Sequence, residues 1–191
     1  IAPMGIAVAQ QANIPSVLIE NFTWDWIYKP FASDHPAFTP HITYLHDLFQ
    51  SATHHIQTSP VCYPTSNATT VNPVSRDNRQ SRTEVRQALG LSDTSKAVMI
   101  TMGGVPFQYA GSSHLSDLPN TFFLLPNSGE TLRQEGNLIH LPRNSSLFHP
   151  DLVLASDLVI SKVGYSTLAA VYQAGTPFGY IPRPEFRESA A

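Results

Sequence analysis

The sequence has 191 residues, with 11 Lys plus Arg against 14 Asp plus Glu and a formal net charge of −3. Its 42% hydrophobic fraction is enough to fill a core, which excludes wholesale disorder, and the length suits one ordinary domain or two small ones. Lys29 is the only Lys or Arg before position 64, so there is no basic footprint for nucleic acid, and no apolar run approaches the ~20 residues of a membrane span. The single Cys62 excludes an internal disulfide framework and a Cys-rich zinc site.

In chain order, residues 3–13 fit a short apolar helix ended by Asn13-Ile-Pro15, and Ser16 to Glu20 reads as a buried strand of the parallel-sheet kind. Asn21-Phe-Thr-Trp-Asp-Trp-Ile-Tyr28 follows and holds both Trp residues. From Thr39-Pro40, Ile42, Leu45, Leu48, Phe49, Ala52 and Ile56 recur at helical spacing, which predicts one amphipathic helix. Residues 64–82 offer nothing larger than Val to bury, and read as an inter-domain linker. The charge divides there too: residues 1–63 carry four acids and one base, residues 64–191 ten of each.

After the linker, Ser81-x-x-Glu84 predicts a helix opened by a capping box and stopped at Gly90. Strands are predicted at 96–102, 122–125, 137–141, 157–160 and 178–181, with helices at 150–155 and from about 165 to 174. Strands alternating with helices give an α/β class with a parallel sheet.

The stretch with the most chemistry is Ser156-Asp-Leu-Val-Ile-Ser-Lys-Val-Gly-Tyr-Ser-Thr167. A strand ends near Ile160, a loop holds Gly164, and a helix begins near Tyr165. A helix start offers N–H groups and partial positive charge to a phosphate, while Ser166, Thr167 and Lys162 could add hydroxyls and a full charge. In an open α/β sheet that mouth lies at the carboxyl edge, where ligands bind. On spacing alone, a plain strand–loop–helix joint with an N-capping Ser remains equally open.

Residues 158–177 resemble the nucleotide-sugar signature of GT-B glycosyltransferases. More narrowly, Ile14-Pro-Ser-Val17 leading into residues 21–28, together with Lys162-x-Gly-Tyr-x-Thr167, resembles the glycosyltransferase-like region of the L-arabinokinase family. The resemblance implies two Rossmann-like domains of GT-B type, both incomplete in this chain, with a nucleotide-sugar cleft between them. Residues 1–63 would be the end of the acceptor-side domain, 64–82 the linker, and 83–191 the donor domain cut before its end. Both termini then read as cuts through a longer protein.

The same resemblance implies the site. Gly103 and Gly104 would face the donor, and Gly164, Tyr165, Ser166 and Thr167 would hold its diphosphate beside Lys162. Leu141 and Arg143 would bracket the base, while Arg183 and Glu185 would contact the donor sugar. Asn21, Thr23, Trp24 and Asp25 would form the acceptor-side wall. The donor, a UDP-sugar by analogy, is a substrate rather than a cofactor; no metal is required and the acceptor is unnamed. One departure is plain: many members carry a ribose-binding Glu where this chain has Ala170. The family's usual general base would lie upstream of residue 1, so no catalytic residue is assigned. A non-catalytic nucleotide-sugar-binding or regulatory module is the alternative.

The other candidates read more simply. Phe22 and at least one of the two Trp residues are expected to pack a core. His35, His41, His46, His54 and His55 match no metal-ligand spacing and are expected at the surface and at helix ends. Cys62 is expected to be an inert thiol. Arg76, Arg79, Arg82 and Arg86 are read as a solvated linker and helix face. The triplets at Asn21, Asn67 and Asn144 match glycosylation sequons, but without a secretory signal a cytoplasmic protein is expected.

Overall fold

The structure is a computed structural model and describes residues 2–103, 112–184 and 186–190. These form two units: one runs to Pro73 and takes in the described residues from Pro184 onward, and the other is Val74–Arg183.

The first unit is built on a three-stranded parallel sheet of β1 (Val17–Glu20), β2 (His54–Thr58) and β3 (Thr69–Val71). Helix α1 (Pro3–Ala12) precedes β1, and the short helix α2 (Trp24–Tyr28) and the longer α3 (Thr39–Gln50) lie between β1 and β2. Ile6 from α1, Leu18 from β1, and Leu48 and Phe49 from α3 make its core, with Leu45 and Trp24 packed against them. Pro3 at the start of α1 and Pro40 early in α3 occupy helix positions that need no N–H donor.

Three expectations change here. The helix from Thr39 ends at Gln50 rather than running through Ile56, and Ile56 lies in β2. Ser51 Oγ donates to the Leu48 carbonyl at 2.6 Å, and Ser16 and Thr53 exchange backbone-to-hydroxyl hydrogen bonds of 3.0 and 3.2 Å. That pair fastens the start of β2 beside β1, so sheet pairing wins over a pattern with helical period. Residues 64–82 contain an edge strand, β3, because Thr69, Thr70 and Val71 find partners at Ile56, Gln57 and Thr58. The strand at Ser16 to Glu20 is buried on one face only: Leu18 and Glu20 are inside, whereas Val17 and Ile19 are more than half exposed.

The second unit has a six-stranded sheet in the order β6-β7-β5-β4-β8-β9. Its strands are β4 (Lys96–Thr101), β5 (Thr121–Gly129), β6 (Arg133–Glu135), β7 (Leu138–Pro142), β8 (Leu158–Lys162) and β9 (Phe178–Ile181). All pairings are parallel except β6 with β7. The antiparallel β6 is an addition to the predicted strands; it is short and exposed, and its Arg133–Glu135 ion pair of 2.9 Å puts charge on the sheet edge. Helices α4 (Arg82–Ala88), α5 (His149–Ala155) and α6 (Tyr165–Ala174) supply the main core.

The period of two in the strands divides that core. Ala97, Met99, Leu124, Ile139, Leu141 and Val159 join Val85, Leu152, Val153, Ala170 and Val171 from the helices. Phe123, Leu125 and Leu138 form a second cluster with Val98, Ile100 and Leu115. β5 carries Pro126 where a ladder donor would stand, and the register with β7 shifts between Pro126 and Gly129 to accommodate it.

The arginine stretch departs from the solvated reading. Arg86 is 1% exposed, and its guanidinium donates to the carbonyls of Ala155, Ser92 and Ser95. Arg82 donates to the carbonyls of Leu154 and Ser156 and pairs with Asp157. Burial would raise the Asp157 carboxyl, but the Ala97 amide, Arg82 and Arg86 outweigh it and hold the group below its ordinary value. Helix α4 is thus tied to the end of α5 and the start of β8 by charge as well as by Val85.

Candidate functional site

In the second unit the sheet order turns at β4: the chain passes to β5 and β7 on one side, then returns to β8 and β9 on the other. Loops leaving β4 and β8 in opposite senses open a crevice at the carboxyl edge. A cavity of about 480 Å³ lies at that edge, and Gly103, Leu141, Arg143, Ser166 and Thr167 line it. These five come from the loops after β4 and β7 and from the first turn of α6.

Lys162 ends β8 beside two glycines. A Cβ built on Gly164 would lie 3.1 Å from Lys162 Nζ, and one on Gly103 would lie 3.7 Å from Lys162 Cε. The lysine stem therefore runs past both loops. Gly103 has φ +69, which a side chain would strain, whereas Gly164 is extended at φ −166. Gly164 is the N-cap of α6, no described side chain caps the helix, and the Gly164 carbonyl accepts the Thr167 amide at 3.1 Å. Asn127 Nδ2 donates to the Gly103 carbonyl at 2.9 Å and holds the β4 loop against the end of β5.

Lys162, Gly164, Tyr165 and Arg183 are not among the residues that line this cavity; the Tyr165 hydroxyl accepts from the Val74 amide at 2.9 Å. Gly104 and Glu185 lie outside the described residues. Ala170 is 4% exposed and belongs to the core of the unit.

The cavity is more basic than the motifs alone suggest, because Arg76 and Arg79 also line it. Their guanidinium carbons stand 4.5 and 3.9 Å from the centroid of the Phe148 ring. Asp151, 1% exposed in the first turn of α5, accepts from the Arg79 amide at 2.8 Å and from Asn78 Nδ2 at 3.3 Å, which pins this stretch to α5. His149 adds no charge at neutral pH: burial, then the Arg76 charge, lowers its pKa from 6.5. No local signal joins Arg76 and Arg79 to a Phe some 70 residues later; only the fold does so.

The first unit has a smaller cavity of about 140 Å³, again at the carboxyl ends of parallel strands. Thr23 and Asp25 line it; Asn21 and Trp24 do not. Asn21 is buried, with Nδ2 donating to Cys62 Sγ at 3.7 Å. Trp24 stacks on Tyr28 at 5.6 Å and packs on the core, while Trp26 faces the cavity with the Arg187 guanidinium 4.0 Å above its ring. The two tryptophans therefore divide between packing and cavity wall.

One histidine, His55, departs from the surface reading, while His46 keeps to it on the exposed side of α3. His55 Nε2 lies 2.6 Å from Glu20 Oε1, and His46 Nδ1 lies 3.1 Å from Asp25 Oδ2. The parallel register sets Glu20 opposite Gln57 and Leu18 opposite His55, which brings acid, amide and imidazole to one face. Strand β2 would have had to be read as a strand for this group to be found from sequence. Cys62 has its thiol pushed up to about 11 by burial, then by Glu188 and Glu20, so little of it is thiolate at neutral pH.

No family model matches the sequence. The chain is 28% identical to L-arabinokinase from Arabidopsis thaliana over 98% of its own length and 18% of that protein. Among solved structures, it superposes on the spinosyn forosaminyltransferase SpnP over 97% of this chain and 56% of that one, with a TM-score of 0.58 at 14% identity. It matches the spinosyn rhamnosyltransferase SpnG with a TM-score of 0.54 at 13% identity, over 93% of this chain and 50% of that one. The Streptomyces sp. SF2575 glycosyltransferase SsfS6 gives 0.52 at 16%, over 97% and 49%. The chain thus spans about half the length of these enzymes and under a fifth of the arabinokinase.

Proposed function

We propose that this chain, which carries part of the GT-B glycosyltransferase fold, binds a nucleotide sugar in the 480 Å³ cavity of the 74–183 unit. A UDP-sugar is the first candidate, and in the longer protein the glycosyl group passes to a hydroxyl acceptor. The observation that carries this is the convergence of Arg76, Arg79 and Arg143 with Ser166 and Thr167 of the first turn of α6 on one cavity at the switch point of the sheet. Guanidinium groups and helix-start amides both favour a diphosphate, and Leu141 and Leu147 offer an apolar wall to a base. In transfer, the diphosphate is the leaving group, and Lys162 beside Gly103 and Gly164 is placed to offset the charge that develops on it without a metal. Arg183 and Glu185, on the sugar side, and Asn21, Thr23, Trp24 and Asp25, on the acceptor side, are proposed from the family resemblance.

A second reading, a nucleotide-sugar-binding or regulatory module without transfer, is favoured by Ala170. That position is packed in the core and offers no carboxylate to a ribose.

Calorimetry of the chain with UDP and UDP-sugars tests the binding claim shared by both. The Gly164→Val variant separates a site from a structural joint. The backbone there is extended and a Cβ meets only the flexible end of Lys162 among the described residues, so the fold is expected to survive while Lys162 shifts. Affinity is expected to fall at least about tenfold, equivalent to ~1.4 kcal/mol, with an unchanged melting temperature. Unchanged affinity would reduce the turn to a joint, and no heat at millimolar UDP would remove the proposal for this chain.

A further inference from the structure

The 140 Å³ cavity of the first unit has a chemistry of its own. Glu20 is 4% exposed, and its Oε1 receives His55 Nε2 at 2.6 Å and Gln57 Nε2 at 2.8 Å. Its second oxygen, Oε2, is buried and has no hydrogen-bond partner among the described residues. Asp25 repeats the arrangement: Oδ2 faces His46 Nδ1 at 3.1 Å, and the buried Oδ1 has none among the described residues. Both carboxylates line the cavity. Each is held by a partner on one oxygen, so the remaining acceptor is fixed in place rather than free to rotate into a bond. Buried acceptors in folded proteins are nearly always met, and here two on one cavity call for a molecule that brings two donors.

Charge decides the kind of donor. Glu20 and Asp25 share the lining with Lys29 and Arg187, so the formal charges cancel and a cation gains no net attraction. No group of three His, Cys, Asp or Glu is placed to hold a metal among the described residues. A neutral donor fits this balance, and adjacent hydroxyls on one ring present two such donors side by side. Phe22 and Trp26 add aromatic surface to the lining, one face of Trp26 being covered by the Arg187 guanidinium. The volume is well under the roughly 300–1,000 Å³ of drug-sized sites, which leaves room for a single ring.

We infer that this cavity binds one neutral polyol ring, a monosaccharide or cyclitol, through neighbouring hydroxyls that donate to Glu20 Oε2 and Asp25 Oδ1. The inference extends the acceptor-side proposal for Thr23 and Asp25 by naming what that wall holds, and stands on the cavity's own lining. Glu20, His55 and Gln57 are positioned for it by the register of β1 and β2.

The test is a heteronuclear NMR titration of the 191-residue chain, followed at the Trp26 indole N–H and the Gln57 side-chain amide. The probes are D-glucose, D-xylose and myo-inositol, with methylammonium as the cationic control and UDP run in parallel. Saturable shifts at those two groups in the millimolar range are expected for at least one polyol and not for methylammonium. Glu20→Gln and Asp25→Asn should each weaken that binding about tenfold or more, because each replaces an acceptor oxygen by a donor or removes its charge. Asp25→Asn is included because it changes a less buried group than Glu20 and so retains the fold. Failure of all three polyols, equal binding of methylammonium, or unchanged affinity in both variants would overturn the inference. Loss of UDP binding with polyol binding retained would sink the nucleotide reading and leave this one standing.

Discussion

His149 shows how one residue reports on the basic cavity. Burial first, and the Arg76 charge second, lower its pKa from 6.5, so the folded chain binds its proton less readily than the unfolded chain. Its contribution to stability is therefore complete above pH 6.5 and declines as the pH falls below it towards the folded value. Arg76→Ala removes the second cause, so the His149 ring should titrate closer to 6.5 by proton NMR and lose less stability on acidification. An unmoved titration would mean that Arg76 does not act on the ring. A bound diphosphate should move it the same way, since negative charge favours the imidazolium.

Among the elements, α4 gives the sharpest test of packing against charge. Its capping box is complete, with Ser81 and Glu84 bonding each other's backbone N–H groups, and this was legible from four residues of sequence. What the sequence did not disclose is that Arg86, two residues beyond Glu84 of the box, turns inward. A guanidinium can be buried where carbonyls from α5 and the loop before β4 receive its N–H groups, and those carbonyls are assembled only by the fold. Arg86→Ala withdraws the donor from three carbonyls, of which Ser92 still accepts the Ser95 amide, and should lower stability by about 3 kcal/mol in urea unfolding. A loss under about 1 kcal/mol would mean water replaces the guanidinium. The same contrast holds for the strands. Lys96–Thr101, Leu158–Lys162 and Phe178–Ile181 were legible because apolar runs bounded by Gly or Pro mark buried parallel strands. His54–Thr58 and Thr69–Val71 were not, because their polar residues acquire a strand's pairing only from neighbours distant in sequence.

At the scale of the whole molecule, each unit has a cavity at the carboxyl edge of its own parallel sheet, and these two differ in charge. The larger is lined by Arg76, Arg79 and Arg143, and the smaller balances Glu20 and Asp25 against Lys29 and Arg187. The net charge of −3 conceals both. The motif at residues 158–167 pointed to the larger cavity because a strand end, a glycine and a helix start are contiguous in sequence. Arg76, Arg79 and Phe148, and likewise Glu20 and His55, meet only through the fold. The account's central claim is that a nucleotide diphosphate occupies the larger cavity. Backbone amide NMR of the chain titrated with UDP tests it most directly. Saturable shifts centred on Gly103, Arg143, Ser166 and Thr167, diminished in Gly164→Val, are the predicted result; no shifts, or shifts centred away from those four residues, would contradict it.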